Sequence, residues 1–314
     1  MKLLSLSLAV LVAAAPSLVQ AKIERVVEKS FPVAAKGQLF VRTQGGDIHV
    51  KTDPQVSEVK VRARQVINAS SEAEADALLE KMTLEIEQSG SEIKAQSRVT
   101  DSSSLSWSWK KRPGVVVYFD VVVPPTYATD LATSGGDVEL GDSQAKAKIA
   151  TSGGDIRVGH VQATVDASTS GGDVSVAGHT ASAKLSSSGG DIRVGDSGGD
   201  LSATTSGGDI TVQSARAAVK ATTSGGDVKV GFEDAVSAEV SLASSGGDIV
   251  VTVGKAASFH LNASTSGGDV QARGLTLQIE QGAPGKSKLI AAVNGGGPDM
   301  KLRTSGGDVR VSLR

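Results

Sequence analysis

An aspartate recurs in this chain at a fixed spacing, each time directly after two glycines. From Asp137 to Asp227 the step is 18 residues, and the next two steps, to Asp248 and Asp269, are 21 residues. Carboxylates repeated in this way could ligate Ca²⁺, or two of them could act as the catalytic pair of a glycoside hydrolase. The regular row consists of Asp137, Asp155, Asp173, Asp191, Asp209 and Asp227.

Both chemical interpretations of the aspartate row meet an objection. Nonapeptide β-rolls bind Ca²⁺ at Gly-Gly-x-Gly-x-Asp turns, whereas here the aspartate follows the second glycine at once. One aspartate per turn makes six or more oxygen ligands hard to assemble. A polysaccharide-active enzyme would need one carboxylate pair set apart from the rest, and every repeat carries the same aspartate. The calcium module and the enzyme therefore stay as alternatives, and no cofactor or catalytic residue is predicted.

A structural role for the aspartates is favoured. Stacked carboxylates about 5 Å apart would repel by roughly 0.8 kcal/mol in water, so something must offset the charge. Two residues after the aspartate, Arg157, Arg193 and Lys229 appear in every second repeat, with Ser175 and Thr211 between them. We expect these cations to lie beside the carboxylates. We also expect backbone N–H groups of the Gly-Gly turn and the adjacent serine hydroxyls to donate to each aspartate.

The repeat around each aspartate has the pattern of two short strands. Ile156 and Val158 share one face, and Val161, Ala163 and Val165 share the face of a second strand. A fixed short period is the signature of a solenoid whose coils stack on their neighbours. The predicted fold is all-β: a single-stranded β-solenoid, similar to a β-helix or β-roll, with coils of 18–21 residues over residues 131–314.

Residues 22–130 are predicted to form a β-rich N-terminal region that caps the solenoid. A capping-box pattern at Ser71 to Glu74 and apolar residues at helical spacing predict one short helix over Ser71–Met82. Thr83–Gln88 and Glu92–Ser97 are predicted to form a hairpin. Gly45-Gly46-Asp47 is an isolated early copy of the repeat motif.

Residues 1–21 have the pattern of a signal peptide. Lys2 precedes the apolar run Leu3–Ala15, and Val19-Gln20-Ala21 is a small-residue cleavage site. The chain has no cysteine, so it has no disulfide, thiolate metal site or lipid-bearing cysteine. The mature protein is expected to be exported, either periplasmic or secreted to the cell surface, without a transmembrane segment.

One cluster near the end of the N-terminal region is a candidate binding surface. Trp107 and Trp109 alternate with serines just before Lys110, Lys111 and Arg112. The tryptophans could form a platform for sugars or contact a membrane surface beside the basic cluster. Their spacing also fits one face of a strand that covers the open end of the solenoid, and this interpretation is favoured.

The histidines give a weaker signal. His160 and His179 follow glycines at nearly equivalent turns, which could bring them together for a metal. Two ligands without a third would make a poor site, and a surface histidine in a turn is commoner.

The charge balance limits the classes of partner. With 32 basic and 34 acidic residues, the chain lacks the clustered basic excess that nucleic acid requires. The expected partner is an unidentified protein or glycan of the cell envelope. The sequence also ends inside a repeat, at Val309–Arg314, so an uncapped terminal coil would expose a sheet edge and allow self-association.

These features together resemble a known family. A β-rich beginning, a strand ending at Val123-Pro124 and repeated Thr-Ser-Gly-Gly-Asp-Val/Ile units are similar to the bacterial putative-adhesin family, also called the toast-rack domain. The resemblance covers residues 23–314. It implies a β-solenoid-like fold, a cell-envelope setting and a non-enzymatic role in adhesion or scaffolding, with no established catalytic residues.

Overall fold

The computed structural model describes residues 22–33, 36–100, 114–233 and 235–314. The predicted signal peptide and the cluster from Trp107 to Arg112 lie outside these ranges. Within them, no helix is long and apolar enough to cross a membrane.

The N-terminal region contains seven strands and one helix in the described residues. They are β1 (Ile23–Pro32), β2 (Gln38–Arg42), β3 (Ile48–Thr52), β4 (Glu58–Ile67), α1 (Glu72–Leu79), β5 (Met82–Ser89), β6 (Glu92–Val99) and β7 (Val115–Val123). The predicted helix and hairpin are both present, since β5 and β6 pair antiparallel.

The helix begins as the sequence predicts, with one change of partner. The Ser71 side chain accepts a hydrogen bond from the Glu74 backbone N–H at 3.2 Å. The Glu74 carboxylate does not complete the box at Ser71 and instead accepts from the backbone N–H and the hydroxyl of Ser70. In a simple capping box the Glu74 carboxylate would accept from Ser71, the N-cap residue. Here it fixes Ser70, one residue further from the helix.

The later part of the chain forms short strands, two from each regular repeat. They are β8 (Ala128–Ala132), β9 (Val138–Leu140), β10 (Ala147–Ala150), β11 (Ile156–Val161), β12 (Val165–Ser168), β13 (Val174–His179), β14 (Ala183–Ser186), β15 (Ile192–Ser197), β16 (Leu201–Thr204), β17 (Ile210–Ala215), β18 (Val219–Thr223), β19 (Val228–Gly231), β20 (Val240–Ser244), β21 (Ile249–Val253), β22 (Phe259–Thr265), β23 (Val270–Arg273), β24 (Leu277–Gly282), β25 (Lys288–Val293), β26 (Asp299–Thr304) and β27 (Val309–Leu313).

The strands form two long sheets that face each other. Sheet A has 13 strands in the order β1-β4-β7-β3-β9-β11-β13-β15-β17-β19-β21-β27-β23. Sheet B has 14 strands in the order β24-β25-β22-β26-β20-β18-β16-β14-β12-β10-β8-β2-β6-β5. Strands of neighbouring coils pair in parallel, as β11 and β13 do in sheet A and β12 and β14 in sheet B. The predicted all-β solenoid is confirmed.

The core is a thin layer between the sheets. Ile192 and Val194 point inward from sheet A, and Ala183 and Leu185 point inward from sheet B, all of them buried. Their outward neighbours in the strands, such as Arg193, are exposed. This alternation explains why small and β-branched side chains suffice: a narrow space between two sheets leaves little room for larger ones.

The early Gly-Gly-Asp motif is part of the same stack. Strand β2 pairs with β8 in sheet B, and β3 pairs with β9 in sheet A. The Asp137 backbone N–H donates to Asp47 Oδ1 at 2.9 Å, the contact that later coils make with one another. The motif at Gly45 to Asp47 is thus a full coil, placed next to repeats that lie far from it in the chain.

The last coil in the sequence is not at the end of the stack. Strands β26 and β27 lie between β20 and β21 on one side and β22 and β23 on the other. The expected uncapped C-terminal coil is therefore wrong, because both of its sheet edges are paired. The end of the stack is instead formed by β23 in sheet A and by the antiparallel pair β24 and β25 in sheet B.

Candidate functional site

The aspartates form a ladder along one corner of the solenoid. In each case the backbone N–H of one aspartate donates to the Oδ1 of the aspartate in the neighbouring coil, at 2.7–2.9 Å. In stack order the members are Asp47, Asp137, Asp155, Asp173, Asp191, Asp209, Asp227, Asp248, Asp308 and Asp269. Each carboxylate before Asp269, the last member, thus joins one coil to the next.

Cations lie beside these carboxylates, as the sequence predicted, and the arginines bridge pairs of them. The guanidinium of Arg193 donates to Asp173 Oδ2 at 2.8 Å and to Asp191 Oδ2 at 2.6 Å. Arg157 makes the same bridge between Asp137 and Asp155. Arg310 makes it between Asp248 and Asp308. Lys229 donates to Asp227 at 3.0 Å. One cation shared by two coils reduces the repulsion along the row.

The threonines and serines that open each motif hydrogen-bond to glycine backbone groups. Thr205 Oγ1 donates at 2.8 Å to the carbonyl of Gly190 in the preceding coil. In most coils this hydroxyl also accepts the N–H of the second glycine in its own turn, as Thr169 does for Gly172 at 3.3 Å. The hydroxyls therefore hydrogen-bond to glycine backbone groups. The aspartate carboxylates accept a backbone N–H from the next coil rather than from their own turn.

This geometry leaves the aspartate row poorly suited to Ca²⁺. Along the inner ladder, Oδ1 accepts a backbone N–H, and in the bridged pairs Oδ2 accepts from a cation. Among the described residues, no group of three or more His, Asp or Glu side chains is arranged to hold a metal ion. A calcium ion would have to displace both kinds of donor.

The structure separates the two histidines considered as metal ligands. His160 pairs in register with Gly178, so His179 falls at the next position and faces the opposite side of the strand. His160 is exposed, whereas His179 is buried with its Nδ1 2.6 Å from the Ala181 carbonyl oxygen. The two side chains therefore cannot share a metal ion.

A corner cleft of about 620 Å³ contains a serine, a histidine and an aspartate. His160 Nδ1 lies 3.7 Å from Asp142 Oδ1. The hydroxyl of Ser143, however, is within hydrogen-bonding distance of the Pro125 and Ala145 carbonyls, at 3.4 and 3.1 Å. A serine nucleophile needs a base that accepts its proton, and Ser143 is directed to backbone carbonyls instead.

Acid is expected to destabilise the solenoid in two ranges of pH. Burial lowers the pKa of His179, and the backbone N–H of a neighbouring coil, assisted by an arginine, lowers the pKa of Asp173 and of Asp248. For each group the unfolded chain binds the proton more readily. These contributions are therefore complete above the unfolded pKa, about 6.5 for His and 3.9 for Asp, and are lost as the pH falls below it.

The measurement is the urea midpoint as a function of pH. The midpoint should fall below about pH 6.5 and fall again below about pH 4. The variant His179→Asn, which can still donate to the Ala181 carbonyl, should lose the first decrease and keep the second. A midpoint independent of pH in the wild-type protein would contradict this assignment.

The outer face of sheet B carries an open groove that sequence reasoning missed. It has a volume of about 710 Å³ and runs across the strands from β10 to β20. Hydroxyl and methyl side chains such as Thr164, Ser182 and Ala218 line it. The charged residues along it alternate in sign and are Lys146, Asp166, Lys184, Asp200, Lys220 and Glu239.

A row of lysines follows this face. Lys148, Lys184, Lys220 and Lys301 occupy one register position on every second strand, which spaces them by about 9.6 Å. Lys148 and Lys301 have acidic partners. In the described part of the chain, Lys184 and Lys220 have no ion pair within 4.0 Å. The signal in the sequence was the 36-residue interval from Lys148 to Lys184 and from Lys184 to Lys220, which is two coils.

Comparisons with known proteins give one matching family model and several similar solved structures. The family model described as Toastrack DUF4097 matches residues 27–197, 121–252 and 201–312. No curated protein gives a significant sequence match. A solved structure from Bacteroides fragilis, called a "putative adhesin", is 13% identical over 92% of this chain and 97% of that chain, with a TM-score of 0.41.

A second similar structure comes from Parabacteroides distasonis and is called a "putative lipid binding protein". It is 12% identical over 92% of this chain and 96% of that chain, with a TM-score of 0.44. The overlapping family matches extend from the first strand to the last coil, over the whole two-sheet stack. This chain is a member of the Toastrack DUF4097 family.

Proposed function

We propose that this protein is a non-enzymatic, exported cell-envelope protein that acts as an adhesive binding module or scaffold, and that it binds through the outer face of sheet B. The observation that carries the proposal is the groove, in which Lys184 and Lys220 have no ion pair with any described residue. On the opposite sheet, Arg157, Arg193, Lys229 and Arg310 are already engaged by carboxylates of the ladder.

The chemistry of the groove fits a protein or a glycan. Cations, anions and hydroxyls alternate along it, so it offers donors and acceptors to an extended partner. The lysine spacing of about 9.6 Å repeats along the stack, which suits a partner that is itself repetitive. The balanced charge of the groove does not favour nucleic acid.

The non-enzymatic part of the proposal is supported by the environment of the candidate groups. The ladder carboxylates are engaged in bonds between coils, and Ser143 is directed to carbonyls. The export part is supported by the signal-peptide pattern over residues 1–21 and by the lack of cysteine. The expected location is the periplasm or the cell surface.

The test measures binding of the mature protein to envelope fractions of its own cell. The variant Lys184→Glu/Lys220→Glu should bind at least about tenfold more weakly, which corresponds to about 1.4 kcal/mol. The matched control is Lys51→Glu/Lys60→Glu, which changes two exposed lysines of sheet A that also lack ion pairs in the described residues and should bind like the wild type.

Three outcomes would overturn the proposal. The wild-type protein could show no saturable binding to any envelope fraction. The two double variants could lose binding equally, which would indicate a general effect of charge. Soluble glycan fragments could accumulate during the assay, which would indicate an enzyme.

A further inference from the structure

The order of coils in the stack differs from their order in the chain at one place. Strand β26 pairs in parallel with β20 on one side and with β22 on the other. In sheet A, β27 likewise lies between β21 and β23. The coil made by β26 and β27, which we call the terminal coil, is therefore inserted between two coils that precede it in the sequence.

The terminal coil makes the contacts of an ordinary coil on both of its faces. Thr304 Oγ1 donates to the Gly247 carbonyl, and Thr265 Oγ1 donates to the Gly307 carbonyl, both at 2.7 Å. Arg310 bridges Asp248 and Asp308 at 2.6 Å. The inward side chains Met300, Leu302, Val309 and Val311 are buried. The gap between the flanking coils is thus a complete binding seat for one coil.

The chain reaches this seat through a crossover. Strand β25 is antiparallel to β22 on the side away from β26, so the connection must pass over the start of β22. Residues Asn294, Gly295 and Gly296 have positive φ, at 50°, 91° and 85°. A Cβ on Gly297 would lie 2.7 Å from the Ser258 carbonyl oxygen, and one on Gly296 would lie 2.6 Å from His260 Nε2. Glycine allows the crossover to stay this close to the strand.

We propose that this seat is an interaction surface for a second copy of the chain, whose terminal coil can occupy it in a reciprocal domain swap. Every contact of the seat is made by side chains and backbone of the terminal coil, so a coil from another copy makes the same contacts. Only the crossover differs between the monomer and the swapped dimer. Exchange of an identical element is a low-cost route to a dimer.

The mode of insertion makes exchange easier here than elsewhere in the stack. Coils between Asp137 and Asp227 are joined to both neighbours by short connections, so none can leave without opening the solenoid. Within the described residues, the terminal coil is joined to the coils that it contacts only through the crossover from β25 and through its sheet contacts. The monomer is favoured when the chain is dilute, because the covalent connection gives the coil a high effective concentration.

The test uses single cysteines, which the natural chain lacks. Ala243 and Arg303 are register partners on the outer face of β20 and β26, and parallel neighbours lie within the Cα separation of a disulfide. Ala243→Cys and Arg303→Cys proteins are mixed, unfolded and refolded together at high concentration, and then oxidised. We expect disulfide-linked heterodimers in which peptide mapping joins position 243 to position 303.

The matched control is a pair inside the regular stack. Ser168 and Ser186 are register partners on the outer face of β12 and β14. A mixture of Ser168→Cys and Ser186→Cys proteins, treated in the same way, should give only background cross-linking. Equal yields from the two mixtures, or no 243–303 link, would overturn the proposal.

A hinge variant provides an independent readout. Gly297→Val places side-chain atoms against the Ser258 carbonyl only when the chain crosses β22 within one molecule. Added to both cysteine proteins, it should raise the yield of the 243–303 heterodimer several-fold and shift the protein toward a dimer in size-exclusion chromatography. A folded Gly297→Val protein that stays monomeric with an unchanged yield would also overturn the proposal.

Discussion

Replacing Gly190 by alanine is expected to destabilise the protein by about 3 kcal/mol. Gly190 is the second glycine of its motif, and a Cβ there would press against the Gly172 carbonyl group and lie 2.6 Å from Asp173 Oδ1. Both contacts belong to the neighbouring coil. Relief requires these two coils to separate, which would weaken the bond from Asp191 N–H to Asp173 and the bond from the Ser187 hydroxyl to the Gly172 carbonyl.

The adjacent glycine is the matched control. A Cβ on Gly189 would find its nearest neighbour, the Gly171 carbonyl oxygen, at 3.3 Å, so a small shift of the turn can accommodate it. Gly189→Ala should cost less than about 1 kcal/mol. Urea unfolding followed by circular dichroism compares the two. Similar losses of stability in both variants would show that the close approach at the second glycine does not limit the spacing of the coils.

Replacing Asp173 by alanine is expected to cost about 2 kcal/mol. The change leaves the partly buried Asp191 N–H without its acceptor and removes one of the two carboxylates that Arg193 bridges. Asp173→Asn keeps an oxygen acceptor and should lose less. The measurement is the urea midpoint at neutral pH, with the slope checked for each variant because repeat proteins can unfold in parts.

Asp269 provides the control at the end of the ladder. Strand β23 is the last strand of sheet A, so no coil of the described residues donates an N–H to the Asp269 carboxylate. Asp269→Ala should therefore change stability by less than about 0.5 kcal/mol. Millimolar Ca²⁺ should leave the melting temperature of the wild-type protein unchanged. A large rise with Ca²⁺, abolished by Asp173→Ala, would restore the calcium interpretation of the row.

Local pattern was enough to predict the repeating part of the molecule. The alternation of inward residues such as Ile156 and Val158 depends only on the two-residue period of a strand, and the 18-residue interval stacks equivalent residues. The position of Arg193 beside the carboxylates followed from the same stacking, because its distance from Asp173 and Asp191 is set by register. Membership of the toast-rack family was predicted from the same motifs and is confirmed.

The individual partners within the turn were harder to predict. A Thr-Ser-Gly-Gly-Asp segment contains several donors and acceptors, and the sequence alone favoured bonds within one turn. In the stack, each turn lies against another turn of the same kind, so Thr205 and Asp173 bond to neighbouring coils instead. The groove of sheet B was missed for a related reason, since it is formed by outward residues from several coils.

The sequence by itself determined the repeating unit: two short strands, a Gly-Gly-Asp turn and a cation at every second coil. These features depend on neighbours in the chain and on a constant period. Only the tertiary structure decided that the coil of Asp47 joins the later repeats and that the coil of Asp308 lies inside the stack. The physical reason is that every coil presents nearly the same edge, so the sequence of a coil does not specify its neighbour. Connections and end strands specify it, through the crossover at Gly297 and the antiparallel strands at each end.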